Sequence, residues 1–139
     1  MSMIDASTPL IEQYEDFMRT GVAEDASLQG SARQHSLDAW NQIVDRSLIE
    51  WALHPERIEE DGLEAPTARS LDRAARIALN MRAKATPPPQ RVAPDGDGGI
   101  VFEWMESEKH LTLACDRGGK LEIREFENGQ LRHREQLGS

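Results

Sequence analysis

Leu10, Ile11, Tyr14, Phe17 and Met18 recur at helical spacing behind Thr8-Pro9, a pair suited to an N-cap and a first helical position. This predicts a first helix over 9–20, stopped at Gly21, followed by a polar loop over 22–30. Ser31-Ala32-Arg33-Gln34 has the form of a capping box and predicts a long second helix over 32–54. On that helix Leu37, Trp40, Ile43, Val44, Leu48 and Trp51 share one arc, the core-facing reading of the two tryptophans. Ile49 and Leu53 lie on the far side, beside Asp38 and Asp45. Pro55 ends the element, and 56–64, with five acids, reads as a solvated connector. Thr67 caps a third helix over 67–84. Its apolar arc holds Leu71, Ala74, Ala75, Ala78, Leu79 and Met81, and its opposite arc holds Arg69, Arg73, Arg76 and Asn80.

Pro87-Pro88-Pro89 cannot continue a helix, so 87–99 is a Pro/Gly-rich joint. Beyond Gly99 the period falls from 3.6 to 2. Ile100, Phe102 and Trp104 alternate with Val101, Glu103 and Met105; Leu111, Leu113 and Cys115 form a second series; Leu121 and Ile123 form a third. A mostly polar fourth segment runs from Leu131 to Leu137. Three-residue bulged turns at Arg117–Gly119 and at Glu127–Gly129 keep the apolar faces together, setting Ile123 opposite His133 and Leu131 on the apolar face. The expected architecture is one compact α+β domain. A helical portion over 1–86 supplies about three helices, packed on one face of a four-stranded antiparallel meander over 100–139.

The chain has 139 residues, 38% apolar and 29% charged, enough for one modest core. Its 25 acids and 16 bases give a net charge of −9, which argues against a surface devoted to nucleic acid or anionic membrane. No apolar run reaches the roughly 20 residues of a membrane span. The N-terminus lacks the basic and apolar regions of a signal peptide, and a single cysteine excludes an internal disulfide framework, so the expected compartment is the cytoplasm.

Chemical motifs are weak throughout. Asp95-Gly96-Asp97-Gly98-Gly99, with Glu106 further on, is reminiscent of a calcium loop. The third ligand position is Gly99, however, and the position requiring glycine is Ile100. His35, His54, His110 and His133 lack zinc spacing, and Cys115 and His133 fall on the apolar sheet face. There is no nucleophile elbow and no phosphate loop after a strand. No catalytic residue, metal ligand or cofactor site is therefore expected.

Charge distribution says more. Residues 1–65 carry 14 acids and 4 bases, whereas 66–95 carry 2 acids and 6 bases. Arg69, Arg73 and Arg76 form a basic stripe that either faces acids of the same chain or docks an acidic partner or nucleic acid. Ile49 and Leu53 need a cover, because one helix cannot bury both sides against one sheet. Another helix of the domain or a second chain, a homodimer included, would provide it.

Trp51, Asp61-Gly62-Leu63-Glu64-Ala65-Pro66, the alanine-rich third helix, the proline joint and Asp97-Gly98-Gly99-Ile100 ending in Glu103-Trp104 resemble a widespread group of small uncharacterised bacterial proteins. The likeness spans roughly 51–130. It implies the fold outline and a bacterial cytoplasmic origin, with no activity attached. The functional expectation is a non-enzymatic protein-binding module: an inhibitor, an antitoxin-like or immunity-like neutraliser, or an accessory subunit. It would take a basic protein partner on Asp38, Asp45, Ile49 and Leu53. The alternative is a regulatory or nucleic-acid-associated protein using Arg69, Arg73 and Arg76, and a small metal-dependent or hydrolytic enzyme comes third.

Overall fold

Trp40, Val44 and Leu48 follow one another at intervals of four and are buried to 7% exposure or less, so one side of a long helix faces inward. The computed structural model describes residues 26–137, and the helix expected over 9–20 lies outside them. The long helix begins at Ala26, six residues before the expected start. Only Gly30 disfavours helix there, and one glycine costs about 1 kcal/mol. It consists of α1 (Ala26–Ala39), a π-helical turn (Trp40–Asp45) and α2 (Arg46–Leu53). In the wider turn the Arg46 N–H donates to the Asn41 carbonyl. His54 leaves the helical region before Pro55, where the sequence predicts the stop.

The acidic connector holds one more turn, α3 (Glu56–Glu59), which buries Ile58. The helix expected over 67–84 is α4 (Ala68–Ala83), with the Thr67 hydroxyl accepting from the Ser70 N–H at 3.0 Å. Ala74, Ala78 and Met81 are buried, while Ala75 and Leu79 of the expected apolar arc are exposed. The buried stripe is thus narrower than the sequence arc.

The sheet has five antiparallel strands in sequential order rather than four: β1 (Arg91–Pro94), β2 (Ile100–Glu106), β3 (Lys109–Cys115), β4 (Leu121–Glu127) and β5 (Gln130–Leu137). The extra strand lies in the proline joint. Gln90 prolongs its pairing, donating from Nε2 to the Met105 carbonyl and accepting the Met105 N–H, each at 2.7 Å. The β3–β4 turn is as expected, with Asp116 N–H bonded to the Lys120 carbonyl and Gly119 at φ +87°. The β4–β5 turn differs. Its loop is the two residues Asn128-Gly129, both at positive φ, and the bulge sits between Glu125 and Phe126. Ile123 therefore pairs with Glu135, not His133, and Leu131 pairs with Phe126 on the face away from the helices.

Ile100, Phe102, Trp104, Leu111, Leu113, Cys115, Leu121 and Ile123 form the buried side of the sheet beneath the long helix and α4. Both buried indoles tie down the joint, Trp40 Nε1 donating to the Thr86 carbonyl at 3.0 Å and Trp104 Nε1 to the Pro87 carbonyl at 2.8 Å. No helix among the described residues is long and apolar enough to cross a membrane.

Candidate functional site

At one end of the sheet the Asp-Gly motifs interlock. Asp95 Oδ1 accepts the Asp97 and Gly99 N–H groups at 2.7 and 2.8 Å, and Asp116 Oδ1 does the same for Gly118 and Lys120 at 2.8 and 2.9 Å. The Gly98 carbonyl accepts from the Thr67 N–H and the Ser70 hydroxyl, and the Gly96 carbonyl accepts the Glu64 N–H. Side-chain room at Gly99 is nil, since a Cβ there would meet Asp95 Oδ2 and lie 2.5 Å from the Cys115 carbonyl. The Asp95 and Asp116 carboxylates organise their own turns, and the Gly98 carbonyl clamps the start of α4 to the sheet. Among the described residues no group of three or more His, Cys, Asp or Glu side chains is poised to hold a metal ion. Burial, with the nearby Asp116 carboxylate, pushes the Cys115 thiol up to about 11, which keeps it protonated and a poor nucleophile at neutral pH.

Two residues of the basic stripe, Arg69 and Arg76, are exposed. Arg76 pairs with Asp72 at 3.1 Å, Arg69 lies against Gly119, and Arg73 is half-buried and interacts within the domain.

The expected partner residues separate into two groups. Asp45 is held by Arg82 through two bonds of 2.6 and 2.9 Å, and Arg82 also stacks 5.4 Å above the Trp40 ring. Its charge is met by Arg82, and the pair fixes the long helix to α4. Asp38 is exposed and accepts from Gln34 Nε2 on its own helix. Ile49 and Leu53, one turn apart, are 58% and 67% exposed. The exposed acids Glu50, Glu56, Glu59 and Glu60 lie within a few residues of them. Glu50 pairs with Arg57; the carboxyl of Glu56 is held below its ordinary value by its own backbone N–H, with His54 adding to the effect.

A second surface emerges from the register alone. On the side of the sheet away from the helices, Met105, His110, Phe126 and Leu131 are successive cross-strand partners over β2 to β5. The His110 and Phe126 rings lie 5.7 Å apart, and Met105 and Leu131 are each 49% exposed. The next row runs Arg91, Glu103, Thr112, Arg124, Arg134. A hollow of about 460 Å³ on this side is lined by Val101, His110, Thr112, Ala114, Arg124, Phe126 and Gly129. Glu103 sits 3.4 Å from Arg91 and 3.7 Å from His110 Nε2. The signal in the sequence was Asn128-Gly129. The two-residue turn moves Leu131 beside Phe126 and completes the row.

Neither a family model, a curated protein nor a solved structure matches the chain.

Proposed function

We propose that the chain is a non-enzymatic protein-binding module whose helical half captures a basic partner protein, as an inhibitor, a neutraliser or an accessory subunit. The observation that carries this reading is the exposure of Ile49 and Leu53 on one stripe of a helix whose opposite side is already buried. Two adjacent aliphatic side chains left in water at the edge of an acidic segment are apolar anchors within a charged rim. The net charge of −10 over residues 1–65 steers a basic partner toward them, chiefly through the rate of association. Asp38 belongs to that field; Asp45 acts structurally.

The test uses the full chain as bait in lysate of its native host at low salt, alongside an Ile49→Asp/Leu53→Asp variant whose fold is verified by circular dichroism. The expected result is one stoichiometric basic protein on the wild type, released by salt and absent from the variant. Loss of two anchors worth about 2 kcal/mol or more in total weakens binding at least ~30-fold. Retention of the same protein by the variant, or an empty wild-type bait, overturns the reading.

A further inference from the structure

The strand register orders the open side of the sheet in rows. Met105, His110, Phe126 and Leu131 form the apolar row over β2 to β5. Beside it run Arg91, Glu103, Thr112, Arg124 and Arg134, and beyond them Ala93, Val101, Ala114, Glu122 and Gln136. The charges of this side meet one another. Arg91 lies 3.4 Å from Glu103, Arg124 donates from Nε to Glu122, and Arg134 lies 3.9 Å from Glu122. Three arginines and two glutamates leave one net positive charge here, in a chain whose total is −9. Two copies of such a chain repel as whole bodies, and a nearly neutral face with an apolar row offers that repulsion least purchase.

The register also makes the face self-complementary. β3 is the central strand of the five, so a twofold axis along it, between two facing sheets, exchanges β2 with β4. Such an axis keeps heights along the strands. The apolar row of one copy therefore lies on that of the other, with Met105 over Phe126 on both sides of the axis, a sulfur–aromatic contact made twice. In the next row Glu103 of each copy comes over Arg124 of the other, and Thr112 lies on the axis. A like-charge pairing, Arg91 over Arg134, falls at the exposed rim, where water and salt screen it. A twofold across the strands would instead set Phe126 on Glu122 and Leu131 on Gln136, burying polar groups against apolar ones. Area agrees with a modest dimer. Strands β2 to β5 are about 23 Å long and together about 19 Å wide, so two such faces cover roughly 900 Å² before β1 and side-chain relief are added. That comes to about the 1,000 Å² of a specific but weak interface.

We propose that the open side of the sheet is the contact between two copies of this chain, packed sheet on sheet about a twofold along β3. The helices then lie on the outside of the pair, with Ile49 and Leu53 of both copies clear of the contact.

The test is the mass of the full chain by sedimentation velocity over a range of concentrations, with Arg124→Glu and Glu103→Arg prepared as separate proteins. The wild type is expected to pass from 15.6 kDa to twice that mass as concentration rises. Either variant alone sets like charges opposite each other twice, and is expected to dimerise at least ~10-fold more weakly. Mixed in equal amounts, the two variants regain both opposite-charge pairs and are expected to associate as the wild type does. A wild type that stays monomeric overturns the proposal, as does a mixture that associates no better than its components. Phe126→Asp/Leu131→Asp, its fold verified by circular dichroism, is expected to stay monomeric. A dimer that survives in it, or that is lost in Ile49→Asp/Leu53→Asp instead, lies on another surface and equally overturns the proposal.

Discussion

Thr86 is 2% exposed, and its backbone is fully used, the N–H donating to the Met81 carbonyl and the carbonyl accepting the Trp40 indole N–H. Its hydroxyl oxygen is buried with no hydrogen-bond partner. Thr86→Val keeps the shape, leaves no cavity and removes the unmet polar group. The desolvation cost relieved is about 1–3 kcal/mol, and a methyl buried in its place contributes under about 1 kcal/mol more. Most core substitutions destabilise. This one is expected to stabilise, by about 1–2 kcal/mol, raising Tm by roughly 3–6 °C for a domain of this size. Urea unfolding followed by tryptophan fluorescence checks it, with an unchanged slope showing that the unfolded state is unaltered. Thr86→Ser, which keeps the hydroxyl and deletes the methyl, is expected to lose about 1 kcal/mol. A loss of stability in Thr86→Val would refute the reasoning, because it would mean that the hydroxyl is bonded in the folded protein.

Two further predictions concern charge. In a double-mutant cycle, Asp45→Asn and Arg82→Met should couple by about 1–2 kcal/mol in unfolding free energy, a bidentate pair discounted for the one-third exposure of Asp45; coupling near zero would show the pair to be slack. For Cys115, the unfolded thiol ionises from about pH 9 while the folded thiol holds its proton to about 11. The raised pKa favours the folded state at lower pH, so its contribution to stability should fall as pH rises from 9 to 11. Cys115→Ala should flatten that part of a pH–stability profile, and an equal slope in both proteins would assign the fall to other groups.

The third helix and the β3–β4 turn were legible because each rests on a local device, the Thr67 cap and the glycine of a bulged turn. The parts that escaped depend on contacts distant in sequence. β1 has only Val92 and Ala93 between Arg91 and Pro94, too little alternation to read, and exists through its pairing with β2 and the Gln90 clamp. The β4–β5 turn was a contest between face matching and turn chemistry. Asn128-Gly129 prevailed because the chain absorbed the mismatch in a bulge between Glu125 and Phe126, and no periodicity reports a bulge. Asp45 looked like a surface acid because its partner Arg82 lies 37 residues on. The apolar row Met105–His110–Phe126–Leu131 was invisible for the same reason, since it exists only once the register is known.

The fold divides its charge as well as its core. Helices cover one side of the sheet, and the arginines of the open side are balanced only in part by Glu103 and Glu122, Glu122 lying 3.9 Å from Arg134. The two uncovered apolar surfaces therefore sit in opposite fields, acids beside Ile49 and Leu53 and arginines beside Phe126 and Leu131. The proposed capture on the helical side is separable from the open side by mutation: Ile49→Asp/Leu53→Asp should release the partner, whereas Arg124→Glu/Arg134→Glu should leave it bound.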